Sequence, residues 1–127
     1  MNEFKKFRQF LKKISKGKKL LILAHSGADV DAIASAAALY LSLRKELPVY
    51  IGVPEHMNIN AKALTENMEI PFIKNPLLSE FGAIICVDFN SAEMAGVLCE
   101  ALKQFKGPLF VLDHHAPTKQ KIASSEN

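Results

Sequence analysis

The sequence predicts an α/β protein: one doubly wound, mostly parallel sheet with helices on both faces. Three observations carry that reading. Four apolar runs, at 20–24, 49–53, 83–87 and 109–112, are continuous rather than alternating, as in strands covered on both faces. Segments of helical periodicity stand between them, a spacing that demands crossover connections and therefore parallel strands. Three of the four runs end in an acid or a histidine: His25, Asp88 and Asp113.

Taken in order, Phe4, Phe7, Leu11 and Ile14 recur at helical spacing, while Lys5, Lys6, Arg8, Lys12 and Lys13 take the other positions. The chain therefore opens with a basic amphipathic helix within 1–18, closed by Gly17. The first strand follows and runs to His25. From about Asp31 to Glu46 a broad stripe of Ala32, Ile33, Ala36, Leu39, Tyr40 and Leu43 describes a helix whose small residues let it sit close on a sheet. Pro48 stops it, and Val-Tyr-Ile-Gly-Val at 49–53 is the second strand, joined to the first by a right-handed crossover. A weaker helical pattern covers 58–68. Ile-Pro-Phe-Ile at 70–73 is a short strand that Pro71 places near an edge. Residues 83–88 form the next strand, and a helix over 92–105 is expected to turn Met94, Val97, Leu98, Ala101 and Leu102 inward. Gly107 and Pro108 end that helix, and the last strand runs directly into Asp113-His114-His115.

Length and composition bound the rest. With 127 residues and 49% apolar content, the chain is long enough for one packed domain and too apolar to be disordered. The formal charge is +3, but eight of the sixteen Lys and Arg precede Leu20, so the basic balance belongs to one end. The division expected is a basic helix at 1–18, a catalytic domain at 19–117 and, at 118–127, a polar tail or the start of a continuation. Cys86 and Cys99 fall in apolar patterns, as buried thiols of a reducing compartment do. The first nineteen residues are charged and the run after them is too short for a membrane, so the expectation is a cytoplasmic protein with no membrane partner.

The chemistry is read from where the acids fall. The chain has only four Asp, at 29, 31, 88 and 113, and each lies at or just beyond the end of a strand-like run, while the nine Glu are scattered. Three of the four His, His25, His114 and His115, lie at the same run ends. On a helix Asp29 and Asp31 would point about 200° apart, whereas on a loop they face one side, so the loop is where they are expected. Each alone reads as a helix cap or a polar rim. Together they place carboxylates and imidazoles at the C-terminal edge of one sheet, where the negative charge needs a cation. Carboxylate and imidazole donors without thiolate suit Mn²⁺, with Mg²⁺ or Co²⁺ as weaker candidates. Asp29 and Asp31 suit two ions about 3.5 to 4 Å apart, with Asp88 bridging, as in two-metal phosphoryl hydrolases. His114 and His115 diverge on extended backbone, so one is expected to bind metal and the other to meet substrate or orient a ligand.

The ordered set His25-Ser-Gly-Ala-Asp29-Val-Asp31-Ala-Ile-Ala-Ser35, Val87-Asp88 and Asp113-His114-His115 resembles the first three motifs of the DHH phosphoesterase superfamily, which includes RecJ-type exonucleases, oligoribonuclease and phosphoadenosine-phosphate phosphatases, and family II pyrophosphatases. The resemblance implies a binuclear Mn²⁺ site: His25 and Asp29 on one ion, Asp31 and His114 on the other, Asp88 between them. It also implies catalytic roles for Asp113 and His115, with Ser35 and His115 toward substrate. Gly27-Ala28 replaces the usual Asn-Pro, and Ala34 the usual Gly. The family's fourth-motif Asp and its Gly-rich substrate domain are not matched within these residues, so a C-terminal substrate-binding domain, in the same or another chain, is expected. The expected substrate is a nucleotide or a short single-stranded nucleic acid, with pyrophosphate as the alternative and a non-catalytic metal-holding or partner-binding domain as the contrasting class. Lys5, Lys12 and Lys13 are either a solvated face or phosphate contacts for nucleic acid.

Overall fold

The computed structural model describes residues 2–113. Leu20–Leu23 (β1) is the central strand because all four of its side chains are apolar and none reaches solvent. Val49–Val53 (β2) pairs with it on one side and Ala83–Val87 (β4) on the other. Phe72–Lys74 (β3) lies outside β2, and Leu109–Leu112 (β5) outside β4. The sheet order is thus β3-β2-β1-β4-β5, with every pairing parallel. Pro71 precedes an edge strand, where a missing N–H costs no ladder bond.

Alternate side chains of each strand feed two cores. On one face Leu20, Ile22, Ile51 and Ile85 pack beneath Glu3–Lys12 (α1), Val30–Leu43 (α2) and Ile59–Glu66 (α3). On the other, Leu21, Leu23, Ile84 and Cys86 pack under Phe81, Phe89, Ala95 and Leu102. Burial pushes the Cys86 thiol up, so it stays protonated and serves as packing rather than as a nucleophile or ligand. Among the described residues no helix is long and apolar enough to cross a membrane.

Two faces differ from the expectation. In α1 Phe7, Leu11 and Ile14 of the expected stripe pack against the core, but Phe10 is fully buried and Phe4 is 60% exposed. Phe7 and Phe10 each bring a ring centroid to 5.4 Å from Phe110 of β5, so Phe10, which a 4-7-11-14 stripe omits, docks the helix beside Phe7, which it includes. The helix over 92–105 is in fact two pieces, a 3₁₀ segment Ala92–Leu98 and a short α-helix Cys99–Lys103 (α4). Gly96 breaks the 3₁₀ segment from within at φ 59, which resets the helical phase. Ala92, Ala95 and Leu102 turn inward, while Val97 is 63% exposed and Met94 and Ala101 also face outward.

This order places the switch point between β1 and β4. The chain leaves β1 toward β2 over one face, and leaves β4 toward β5 over the other, so the connections diverge. The C-terminal ends of these two strands are the usual ligand position in such sheets.

Candidate metal centre

His25 stands two residues past β1. Its ring lies edge-on to Phe89, with centroids 6.4 Å apart, and its Nδ1 is 2.9 Å from the Ser26 carbonyl oxygen. A carbonyl can only accept, so Nδ1 carries the proton and Nε2 keeps its lone pair for a ligand. The chain then turns at Gly27, whose φ of 68 suits a residue without Cβ. Buried Ala28 forms a parallel bridge with Met57, which delivers Asp29 to the start of α2.

Asp29 caps that helix. Its Oδ1 accepts from the Ala32 N–H at 2.9 Å and lies 4.0 Å from His25 Nε2. The cap uses one of the lone-pair sites of the carboxylate and fixes the direction of the others, so the structural role orients the side chain for a metal role. Replacement by alanine should lower metal-free stability by about 1 kcal/mol, whereas Asn, an equally good cap, should leave it nearly unchanged. Urea midpoints of the two variants without metal check this; an equal loss in both would assign the effect to the charge rather than the cap.

Asp88 follows β4 directly. It is only 5% exposed and takes φ 63, a left-handed conformation uncommon outside glycine. Its N–H donates to the Leu112 carbonyl at 2.8 Å, which ends the β4–β5 ladder and turns the side chain out of the sheet edge. A buried acid on left-handed backbone persists only where its surroundings over-determine it.

The donor atoms of His25, Asp29 and Asp88 lie within 4.8 Å of one another. Three donors spread evenly around one ion at about 2.2 Å stand about 3.8 Å apart, so this set needs to draw in by about 1 Å at its widest to share an ion. One neutral imidazole and two carboxylates give a net charge of −2 that a divalent cation offsets. The residues fit a divalent metal of the harder, oxygen-preferring kind.

The remaining sequence-identified residues are placed as follows. Asp31 lies in the first turn of α2 rather than in the loop, exposed and outside the three-residue cluster. The helix begins one residue after its Asp29 cap, so it claims Asp31 along with Val30. Ser35 is exposed in the second turn of the same helix. Val87 pairs with Leu112, so Asp88 and Asp113 leave the sheet side by side. His114 and His115 lie outside the described residues. Lys5, Lys12 and Lys13 are exposed on α1 and just beyond it. Lys12 lines a cleft with Glu46, and both precede the starts of strands, so they belong to the edge of the sheet opposite the metal cluster.

Sequence reasoning passed over the loop after β2. Glu55 and His56 belong to no periodic pattern, yet the His56 carbonyl accepts from the Gly27 N–H at 2.9 Å and the Ala28 carbonyl from the Asn58 N–H at 2.8 Å. The loop that carries His25 and Asp29 is therefore braced by a neighbouring strand end. Pro54 and positive-φ Glu55 mark a tight turn, but only tertiary contacts reveal what it holds.

Residues 19–126 match the N-terminal domain of the DHH family. A probable manganese-dependent inorganic pyrophosphatase of Bacillus licheniformis is 36% identical over 106 residues, a match that covers 76% of this chain and 31% of that protein. The crystal structure of an exopolyphosphatase-related protein from Bacteroides fragilis superposes with a TM-score of 0.74 at 22% identity, over 95% of this chain and 39% of that one. The chain thus spans about a third of the length of the curated relative and about two fifths of the solved one.

Proposed function

This chain belongs to the DHH family through that family's N-terminal domain, and from that premise we propose that it is the metal-holding part of a metal-dependent phosphoesterase. The observation that carries the reading is the convergence of His25, Asp29 and Asp88 at the switch point of the sheet. The metal proposed is Mn²⁺, in keeping with the donor set and with the name of the Bacillus relative. In the binuclear form of the proposal, His25 and Asp29 hold one ion, Asp31 and His114 the other, and Asp88 serves both.

When bound, the metal supplies Lewis acidity toward a phosphoryl oxygen and toward the attacking water. The chain's own residues do the positioning. His25 is held in the ligating tautomer by the Ser26 carbonyl, Asp29 is aimed by its cap, and Asp88 is fixed at the edge of the β4–β5 ladder. Hydrolysis forms a bond from water oxygen to phosphorus and breaks the bridging P–O bond, with the leaving oxygen taking up a proton. Asp113 and His115 are the residues proposed for proton handling, with Ser35 and His115 toward the substrate.

Two substrate classes fit this chemistry. Nucleotides or short single-stranded nucleic acids are one. Small inorganic phosphoanhydrides are the other, favoured by the 36% identical relative and by the placement of Lys12 and Lys13 away from the metal edge. A cleft of about 230 Å³ lined by Lys62 and Lys74, with Glu55 as its one acid, lies next to the braced loop, since His56 belongs to both. Release of phosphate with Mn²⁺ from pyrophosphate, from adenosine 3′,5′-bisphosphate and from a dinucleotide tests the reading. Metal-dependent turnover of one of them is expected. Metal-independent release, or none from a longer chain that spans the full length of the relatives, would overturn it.

A further inference from the structure

We propose that Glu55 is the positioning residue of the metal centre, a clamp that holds the loop carrying His25 in register with the segment that follows Asp88. The proposal rests on the metal-site reading above and adds to it a residue from a third strand end. Glu55 Oε2 accepts from the Ser26 hydroxyl at 3.0 Å, and Oε1 accepts from the Val97 N–H at 2.7 Å. One carboxylate thus ties the residue after His25 to the segment that Asp88 begins. A second tie runs in parallel, from the Ser26 N–H to the Met94 carbonyl at 2.6 Å.

The backbone is shaped to make this contact. Glu55 itself takes φ 58, unusual for a long side chain, and its N–H is held by Asn75 Oδ1 at 2.6 Å. Such a conformation persists only where the surroundings over-determine it. At Gly96, also left-handed at φ 59, an added Cβ would run into the Glu55 carboxylate and come within 3.0 Å of Ser26 Cβ. The helix break noted above therefore opens the space through which Glu55 reaches Val97.

Charge-assisted hydrogen bonds of this kind are short and directional, which suits a carboxylate to clamping rather than to general packing. Ser26 adjoins His25 and supplies the carbonyl that sets its tautomer. A shift of Ser26 relative to residues 94–97 would therefore displace His25 Nε2 from Asp88 and cost metal affinity before it cost the fold. Partners beyond the ligands themselves typically contribute 10- to 100-fold to metal affinity.

The experiment measures Mn²⁺ affinity by titration calorimetry, and metal-free thermal unfolding, for the intact chain, Glu55→Ala and Glu55→Gln. The proposal expects Glu55→Ala to bind Mn²⁺ about 10- to 100-fold more weakly while keeping its metal-free midpoint within a few degrees. Gln can accept from Val97 N–H through its oxygen and donate to Ser26 Oγ through its amide, so Glu55→Gln should recover most of the affinity. Unchanged Mn²⁺ affinity in Glu55→Ala would overturn the clamp alone. So would a loss that Gln does not recover, or one that follows a collapse of the metal-free fold. Absence of Mn²⁺ binding by the unsubstituted chain would overturn the metal-site reading itself, and the clamp with it.

Discussion

Asp88→Asn is expected to remove most of the stabilisation that Mn²⁺ confers on this chain. A ligand that binds only the native state at 100 times its Kd stabilises by about 2.7 kcal/mol. For a domain of this size that is a rise of about 10 °C in the unfolding midpoint. Asp88 is the most buried of the three clustered donors, and its two oxygens make it the one proposed to serve both ions. Asn is the right substitution because the residue sits at φ 63, a conformation Asn tolerates and alanine resists. Without metal the variant should unfold at or slightly above the original midpoint, since it loses a negative charge beside Asp29. Thermal unfolding of both chains, with and without saturating Mn²⁺, checks both halves. A metal-induced rise preserved in the variant would remove Asp88 from the ligand set.

That experiment probes a site whose outline is visible in the sequence for a definite physical reason. Strands buried on both faces are written as unbroken apolar runs, and the ligands of a doubly wound sheet must fall where those runs end. His25, Asp29 and Asp88 are conspicuous because they are polar at those positions. The phase of the helices is less legible. In α1, Phe4 and Phe10 both fit a helical stripe, and only the position of Phe110 on β5 decides which is buried. Gly96 reads as an ordinary small residue until the Glu55 carboxylate is seen to occupy the space beside it. Glu55 is the least legible, one of nine Glu, with partners 29 and 42 residues away. Residues that donate to an ion are limited to a few types at recognisable positions, whereas the residues that hold them obey only local geometry.

The largest effect on turnover is expected from chain length. These 127 residues, assayed with Mn²⁺, should hydrolyse their best substrate at least about 100-fold more slowly than a chain extended to the full span of the relatives, because a misplacement of about 1 Å at the reacting atoms costs that much. Two features of the site lead there. Three described residues offer donors in the cluster, and an ion held there would depend on further ligands for a fixed position. The chain also spans 31% of the curated relative's length, so most of that protein lies outside the matched region. Metal binding and turnover should therefore separate: Mn²⁺ binding retained in the short chain, though weaker than in the long one, with kcat/KM falling far more steeply. Adding the remaining segment as a separate polypeptide should restore part of the rate if the two associate. Equal kcat/KM for the short and the extended chain would show that the residues from His25 to Asp113, with the segment that follows, complete the reaction centre by themselves.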